Sequence, residues 1–340
     1  MNDETERMLR RCKEERKSEF DRYYQTVMLT LGVKTYIDGH AKDCRFSSAE
    51  SRFFVENSSS EIRPDIILQY GNRRGILCEV KTSFPSDDVH LLQSLKQIEK
   101  YSQNVVGWDS ADRKVDDHDI ILFCYIIDSE RVSSKIQEWL GNGSLNISKS
   151  LCVCEWGTLV SPKIGRDIIL IRKRFGNINC EELNNMLQNS IIIDQEMLTV
   201  EYEKCKFTRR DPPVEYTMSE LWVNVFPAIN AEPEDFETVV EEVFKIAREY
   251  YISWAHIEGE FTQIRKRWIK RALDSFCEIG LAEQISEDSE RYRIFRSKQI
   301  QKDLMEYIIE SLCNKRVHGA LTAPFAESKG TESQKSILSF

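Results

Sequence analysis

The sequence predicts an α/β protein built on a mixed sheet, followed by a mostly helical region. Three observations predict it. Apolar residues recur at helical spacing near residues 20–31 and 91–101, with short β-branched runs and turn residues between them. DIILFCYII, residues 119–127, is a continuous apolar run, as a strand buried on both faces requires. Beyond Pro212-Pro213, helical spacing dominates.

Taken in order, residues 4–17 are dense in charge and read as a solvated helix or its frayed start. From Ser18, the positions Phe20, Tyr24, Val27, Met28 and Leu31 mark an amphipathic helix, which Gly32 is expected to close. Residues 44–57 alternate as one strand. Ile66–Leu68 and Gly75–Cys78 flank Gly71-Asn72-Arg73 and predict a β-hairpin. A helix starting near Ser86, with Asp87 and Asp88 in its first turn, carries Leu91, Leu92, Leu95, Ile98 and Tyr101, with Gln93 and Gln97 beside that stripe. After the 119–127 strand come a helix over 132–140 stopped by Gly141, then strands at 151–156 and 167–175.

The hairpin holds the chemistry. With Asn72 at its tip, Asp65 faces Glu79 on one side of the ribbon, and Lys81, two residues on, projects from that side too. Two carboxylates and an ammonium in an otherwise apolar ribbon are costly unless paired or holding a metal. Paired carboxylates suit Mg2+, which takes oxygen ligands and keeps several waters, and a neighbouring lysine can orient a water or steady charge on a phosphate.

Pro64-Asp65 followed by Glu79-Val80-Lys81 resembles the signature of the PD-(D/E)XK nuclease superfamily. FDRYYQTVMLTLGV resembles the first helix of the Mrr-like restriction endonucleases, and Gln97-Ile98-Glu99-Lys100-Tyr101 is similar to the Gln-x-x-x-Tyr element after the catalytic lysine of recombination exonucleases. The resemblance covers about residues 15–175 and implies a restriction-endonuclease-like mixed sheet flanked by helices. It implies Mg2+-dependent hydrolysis of DNA phosphodiesters, with Mn2+ able to substitute, as an endo- or exonuclease in a restriction or anti-phage role. Asp65, Glu79 and the Val80 carbonyl would hold metal, Lys81 would position the attacking water, and Gln97 would support the lysine or bind phosphate. The acid leaning over the metal carries over to Asp21, with Glu19, Glu50, Glu56 and Glu61 still in competition. RNA as substrate shares this chemistry. The contrasting reading is a catalytically silent nuclease fold acting as a DNA- or protein-binding regulatory module.

The basic, proline-rich stretch 205–215 predicts a linker between a domain at 1–204 and one at 216–315. In the second, helices are expected at 218–226, ended by Pro227, at 234–251, at 262–279, stopped by Gly280, and at 299–313. Strands at 281–285 and 291–295 complete a pattern that resembles a winged helix, whose recognition helix would present Arg265, Lys266, Arg267, Lys270 and Arg271 to DNA, with Ile264, Trp268, Ala272 and Phe276 inward. Residues 316–340 read as a disordered tail.

Composition sets outer limits. No run approaches the roughly 18 apolar residues of a membrane span, and the start lacks an apolar signal core, so a cytoplasmic protein with no membrane association is expected. The 10 cysteines are scattered without zinc-type spacing and read as reduced thiols. A net charge of −9 repels phosphate, which implies a protein partner or homo-oligomer to supply further DNA-binding surface.

Overall fold

The computed structural model describes residues 3–49, 51–56, 58–71, 73–106, 115–160, 167–194, 198, 207, 211–250, 260–286, 290–298, 300 and 303–322. Its centre is a seven-stranded sheet built from β1 (Cys44–Ala49), β4 (Ile66–Tyr70), β5 (Arg74–Lys81), β7 (Asp117–Tyr125), β8 (Leu151–Val160), β9 (Asp167–Gly176) and β10 (Ile191–Asp194), in that spatial order. β5 runs parallel to β7 and β7 to β8, while the remaining pairs are antiparallel, so the sheet is mixed, as the sequence predicts.

Helices cover both faces. On one, α1 (Asp3–His40) and α4 (Glu181–Gln188) press Val27, Leu31, Ile37, Leu183 and Leu187 onto Cys78, Ile121, Phe123 and Ile171. On the other, α2 (Asp88–Tyr101) and α3 (Ile126–Asn142) bring Leu91, Leu95, Val132 and Ile136 onto Leu77, Ile120, Leu122 and Val153. Burial alternates along β5 and β7 between these two clusters, which is why both strands read as continuous apolar runs. A smaller sheet, β3 (Glu61–Ile62), β2 (Phe53–Val55) and β6 (Val105–Val106), stands beside it.

Local departures from expectation each have a physical reason. α1 is one helix of 38 residues that passes through Gly32. A Cβ at Gly32 would lie 3.0 Å from Ile193 Cδ1 and 3.4 Å from Ile169 Cδ1, so the glycine permits close helix–sheet approach and is no stop. The stretch 44–57 divides into β1 and β2, which join different sheets. α3 starts at Ile126, because Ile127 is 83% exposed and cannot extend a strand buried on both faces. It runs through Gly141 and ends at Gly143, which takes the left-handed C-cap conformation.

The C-terminal region comprises α5 (Val214–Glu220), a π-turn at Leu221–Val225, α6 (Phe226–Ile229), β11 (Phe236–Val239), α7 (Val240–Ala247), α8 (Glu260–Glu278), β12 (Ala282–Ser286), β13 (Arg291–Ile294) and α9 (Leu304–Thr322). Pro227 does not end its helix. It sits in the first turn of α6, behind the π-turn, where a missing N–H is tolerated. Phe236-Glu237-Thr238-Val239, expected as helix, pairs with β13 and completes a three-stranded sheet ordered β11-β13-β12. α9 begins at Leu304 and runs to Thr322, beyond the expected tail boundary at 316, while residues 323–340 lie outside the described residues. Trp222, Phe226 and Phe276 fill this region's core.

This region docks on the first half of α1. The Tyr216 ring lies 4.7 Å from that of Tyr23 and 5.4 Å from that of Phe20, Lys13 Nζ pairs with Glu310 at 2.7 Å, and Arg16 pairs with buried Glu215. Cys12 and Cys313 form a disulfide, which corrects the expectation that all cysteines are reduced. Phe207 and Pro213–Glu215, inside the expected linker, are built into this junction: Phe207 donates its N–H to the Tyr250 carbonyl at 3.0 Å and packs on Tyr216, and Val214 already begins α5.

Two stability tests follow from these placements. Gly176 has φ 74°, and a Cβ there would collide with the Leu151 carbonyl oxygen, so Gly176→Ala should cost about 3 kcal/mol or more in a urea melt. Because the disulfide joins residues 301 apart, Cys12→Ser or a phosphine reductant should cost about 2–5 kcal/mol.

Candidate functional site

The hairpin has the register deduced from its sequence. Ile66 partners Cys78, Ile67 partners Leu77 and Tyr70 partners Arg74, so the next step outward sets Asp65 against Glu79. Asp65 is 1% exposed and Glu79 0%. Charges this deeply enclosed need dedicated donors, and β5 and α2 provide them.

The backbone N–H of Val80 donates to Asp65 Oδ2 at 2.7 Å. Glu79 Oε2 accepts from Tyr101 Oη at 2.6 Å and from Gln97 Nε2 at 3.1 Å. Lys81 Nζ lies 2.6 Å from Glu79 Oε1 and donates to Gln97 Oε1 at 3.1 Å. Gln97 Nε2 also reaches Tyr101 Oη at 2.8 Å, closing a network of four side chains. Gln97 and Tyr101 can act together because residues four apart share a helix face. Burial, and then the charges of Glu79 and Asp65, push the Tyr101 phenol well above its ordinary value, so it stays protonated and remains a donor.

At the exit of β5 lies a cleft of about 470 Å³. Glu14, Lys17, Ser18, Asp21, Arg22 and Gln25 of α1 form one wall, and Thr82 and Ser83, immediately after Lys81, form the other. Of the five competing acids, Asp21 therefore shares a cleft with the exit of β5. Glu19 lines a neighbouring cleft with Glu14, Glu15, Ser18 and Arg22, to which β5 contributes nothing. Glu56 accepts from Asn104 at 3.2 Å beside the small sheet, Glu61 pairs with Arg52 and Arg63, and Glu50 lies outside the described residues. Among the described residues, no three His, Cys, Asp or Glu side chains are grouped to hold a metal.

The basic row on α8 is largely committed to neighbouring acids. Lys266 pairs with Glu241, Lys270 with Glu290 at 3.1 Å, and Arg271 with Asp211 at 3.6 Å while also donating to the Pro212 carbonyl at 2.8 Å. Arg267 is exposed, and the side chain of Arg265 lies outside the described residues, as does that of Ile264. Trp268, Ala272 and Phe276 are buried, as expected.

Other buried acids are not singled out by the sequence. Asp119, 1% exposed, accepts from Tyr70 Oη at 2.7 Å, Asn179 N at 2.8 Å and Asn179 Nδ2 at 2.7 Å. Glu155, 0% exposed, accepts from Ser129 Oγ at 2.8 Å and from Arg172 and Arg174. The one signal for them is a lone acid inside an apolar strand run, as in DIIL and CVCEW. Comparisons with protein-family models, curated proteins and solved structures return no significant match. No helix among the described residues is long and apolar enough to cross a membrane.

His118 joins this network to the end of α2, with Nε2 2.6 Å from the Tyr101 carbonyl oxygen. Burial holds the imidazole below its ordinary value, against that hydrogen bond, so the unfolded chain takes up the proton first. The resulting stability is intact above about pH 6.5 and is lost as pH falls below it. Wild type should therefore lose melting temperature more steeply than His118→Gln between roughly pH 7 and pH 5. Parallel slopes would refute this.

Proposed function

We propose that the protein is a metal-dependent nuclease of the PD-(D/E)XK kind, hydrolysing phosphodiester bonds of DNA. The observation that carries the reading is the Asp65–Glu79–Lys81 cluster, held by Gln97 at the end of β5, where the chain passes through Thr82 and Ser83 into the cleft that Asp21 lines. Two adjacent buried carboxylates offer hard oxygen donors, a set that fits Mg2+ or Mn2+, which a protein commonly holds with one or two carboxylates. Asp65, Glu79 and the Val80 carbonyl would hold the ion, and Asp21 is the candidate further acid because it shares a cleft with the exit of β5. Bound there, it would neutralise charge on the phosphate and acidify a water.

The chain's own residues do the rest. Tyr101 and Gln97 hold Glu79 Oε2, so the carboxylate keeps one orientation. Lys81 commits two of its three N–H donors to Glu79 and Gln97, and the third is available to orient the attacking water or meet a phosphate oxygen. On the cleft wall Lys17 and Arg22 balance Glu14 and Asp21, so the wall carries no net charge. The arrangement of helices and a small three-stranded sheet after residue 213 supports a winged-helix-like module as a second contact, although its α8 row is mostly paired.

One observation favours the silent alternative. The Glu79 oxygens already have three partners, and no third acid is grouped with Asp65 and Glu79 among the described residues. In that case the network is a structural ion pair and the protein a binding module. The two readings separate experimentally. Lys81→Ala should lower DNA cutting in Mg2+ by about a hundredfold or more in protein that circular dichroism shows to be folded, with a melting temperature below wild type because buried Glu79 loses its cation. Millimolar Mg2+ or Mn2+ should raise the melting temperature of wild type, by an amount worth about 2.7 kcal/mol at a hundredfold excess over Kd. Undiminished cutting by Lys81→Ala, or no metal-induced shift, would sink the nuclease reading. Parallel arms with duplex DNA, single-stranded DNA and RNA identify the substrate.

A further inference from the structure

Glu155 carries more positive charge than its burial requires. The carboxylate is 0% exposed and receives Ser129 Oγ together with the Nε groups of both Arg172 and Arg174. One guanidinium neutralises one carboxylate, so the second leaves the group with a surplus charge of one. Each arginine turns only its Nε side to Glu155. The Nη groups of both have no partner among the described residues, and the side chains are 44% and 33% exposed.

This is a prepared oxyanion receptor. A guanidinium presents its N–H donors in a planar fork that matches two phosphate oxygens, and pinning Nε to a buried acid fixes that plane before a ligand arrives. The ordering cost is then met during folding and is absent from binding. Its place in the sheet relates it to the candidate site. Lys81 partners Cys124, Cys124 partners Glu155, and Glu155 partners Arg172, across β5, β7, β8 and β9. Registered partners project from one face, so Lys81 and Arg172 share the face covered by α2 and α3. Three strand spacings separate them, roughly 14 Å; because Cys124 and Glu155 between them are buried, a nucleic-acid strand reaching both passes over that cover and spans at least about four base steps of 3.4 Å.

We propose that Arg172 and Arg174, preset by Glu155, grip a backbone phosphate of a nucleic acid at least about four nucleotides from the position next to Lys81. The identity of the ligand rests on the nuclease reading; the anion chemistry stands without it. The grip supplies register and affinity and reads no base sequence, since phosphate contacts position and do not specify.

The test is fluorescence anisotropy with a labelled 20-nucleotide duplex in Ca2+, over a salt series. Two variants are compared with wild type: Arg172→Lys/Arg174→Lys, which keeps Glu155 neutralised but removes the forks, and Glu155→Gln/Arg172→Gln/Arg174→Gln, which removes charge and forks together. Circular dichroism and melting confirm folding, and the lysine variant covers the case in which the triple variant does not fold. The expected result is weakening of about tenfold or more for both variants. The salt slope of the triple variant should also fall by up to about 0.9 for each phosphate it no longer neutralises. Affinity unchanged in a folded variant overturns the proposal, as does a wild type that binds no nucleic acid. Inorganic phosphate that competes at equal phosphate concentration also overturns it, by assigning the pair to a free anion. Cleavage by wild type in Mg2+ is scored separately. Binding that depends on the arginines without cleavage sinks the nuclease reading and keeps the grip, whereas cleavage with arginine-independent binding does the reverse.

Discussion

Enclosing carboxylates inside a sheet is the constraint from which the rest of this structure follows. An ion taken out of water costs several kcal/mol unless donors replace its hydration, and Asp65, Glu79, Asp119, Glu155 and Glu215 are each at most 2% exposed. Their donors come from distant segments. Val80 serves Asp65, Gln97 and Tyr101 serve Glu79, Tyr70 and Asn179 serve Asp119, Ser129 and two arginines of β9 serve Glu155, and Arg16 serves Glu215. Each pairing fastens a helix, strand or loop to the sheet at one place. A shift by one residue would bury a charge without its partner, so the polar interior selects one register where apolar contacts alone would tolerate several.

α1 spreads this constraint over the whole chain. Its later turns pack Val27, Leu31 and Ile37 on the sheet, its middle carries Asp21 along the cleft, and its first turns hold Lys13, Arg16 and Cys12 against the C-terminal region. The cleft wall and the docking surface thus belong to one rigid element. At about 1.5 Å per residue, the helix is long enough to do both.

The hairpin is legible in the sequence because a two-fold alternation and a tight turn leave a single register, from which the meeting of Asp65, Glu79 and Lys81 follows. β7, β8 and β9 are legible from apolar content alone. What the sequence hides has specific causes. Gly32 reads as a helix stop because a glycine that permits close packing on Ile169 and Ile193 is written in sequence like one that caps a helix. Phe236 and Val239 stand three apart, a spacing that fits a helical face as well as a strand, and only the pairing with β13 decides between them. The Cys12–Cys313 bond leaves no local trace, since cysteine spacing informs only over short separations. Tyr101 reads as one member of an apolar stripe, because its ring is indeed in the core, and its hydroxyl acquires meaning only when Glu79 arrives from another strand.

The disulfide also sets an order of events during synthesis. Cys12 lies on α1, and its partner is made 301 residues later. At about 5–20 residues per second, ribosomal elongation leaves that thiol waiting for roughly 15–60 s. During that interval the early turns of α1 are without the contacts that α5 and α9 later supply through Glu215 and Glu310. Although α1 precedes the sheet in the chain, it is therefore among the last elements to gain all of its contacts.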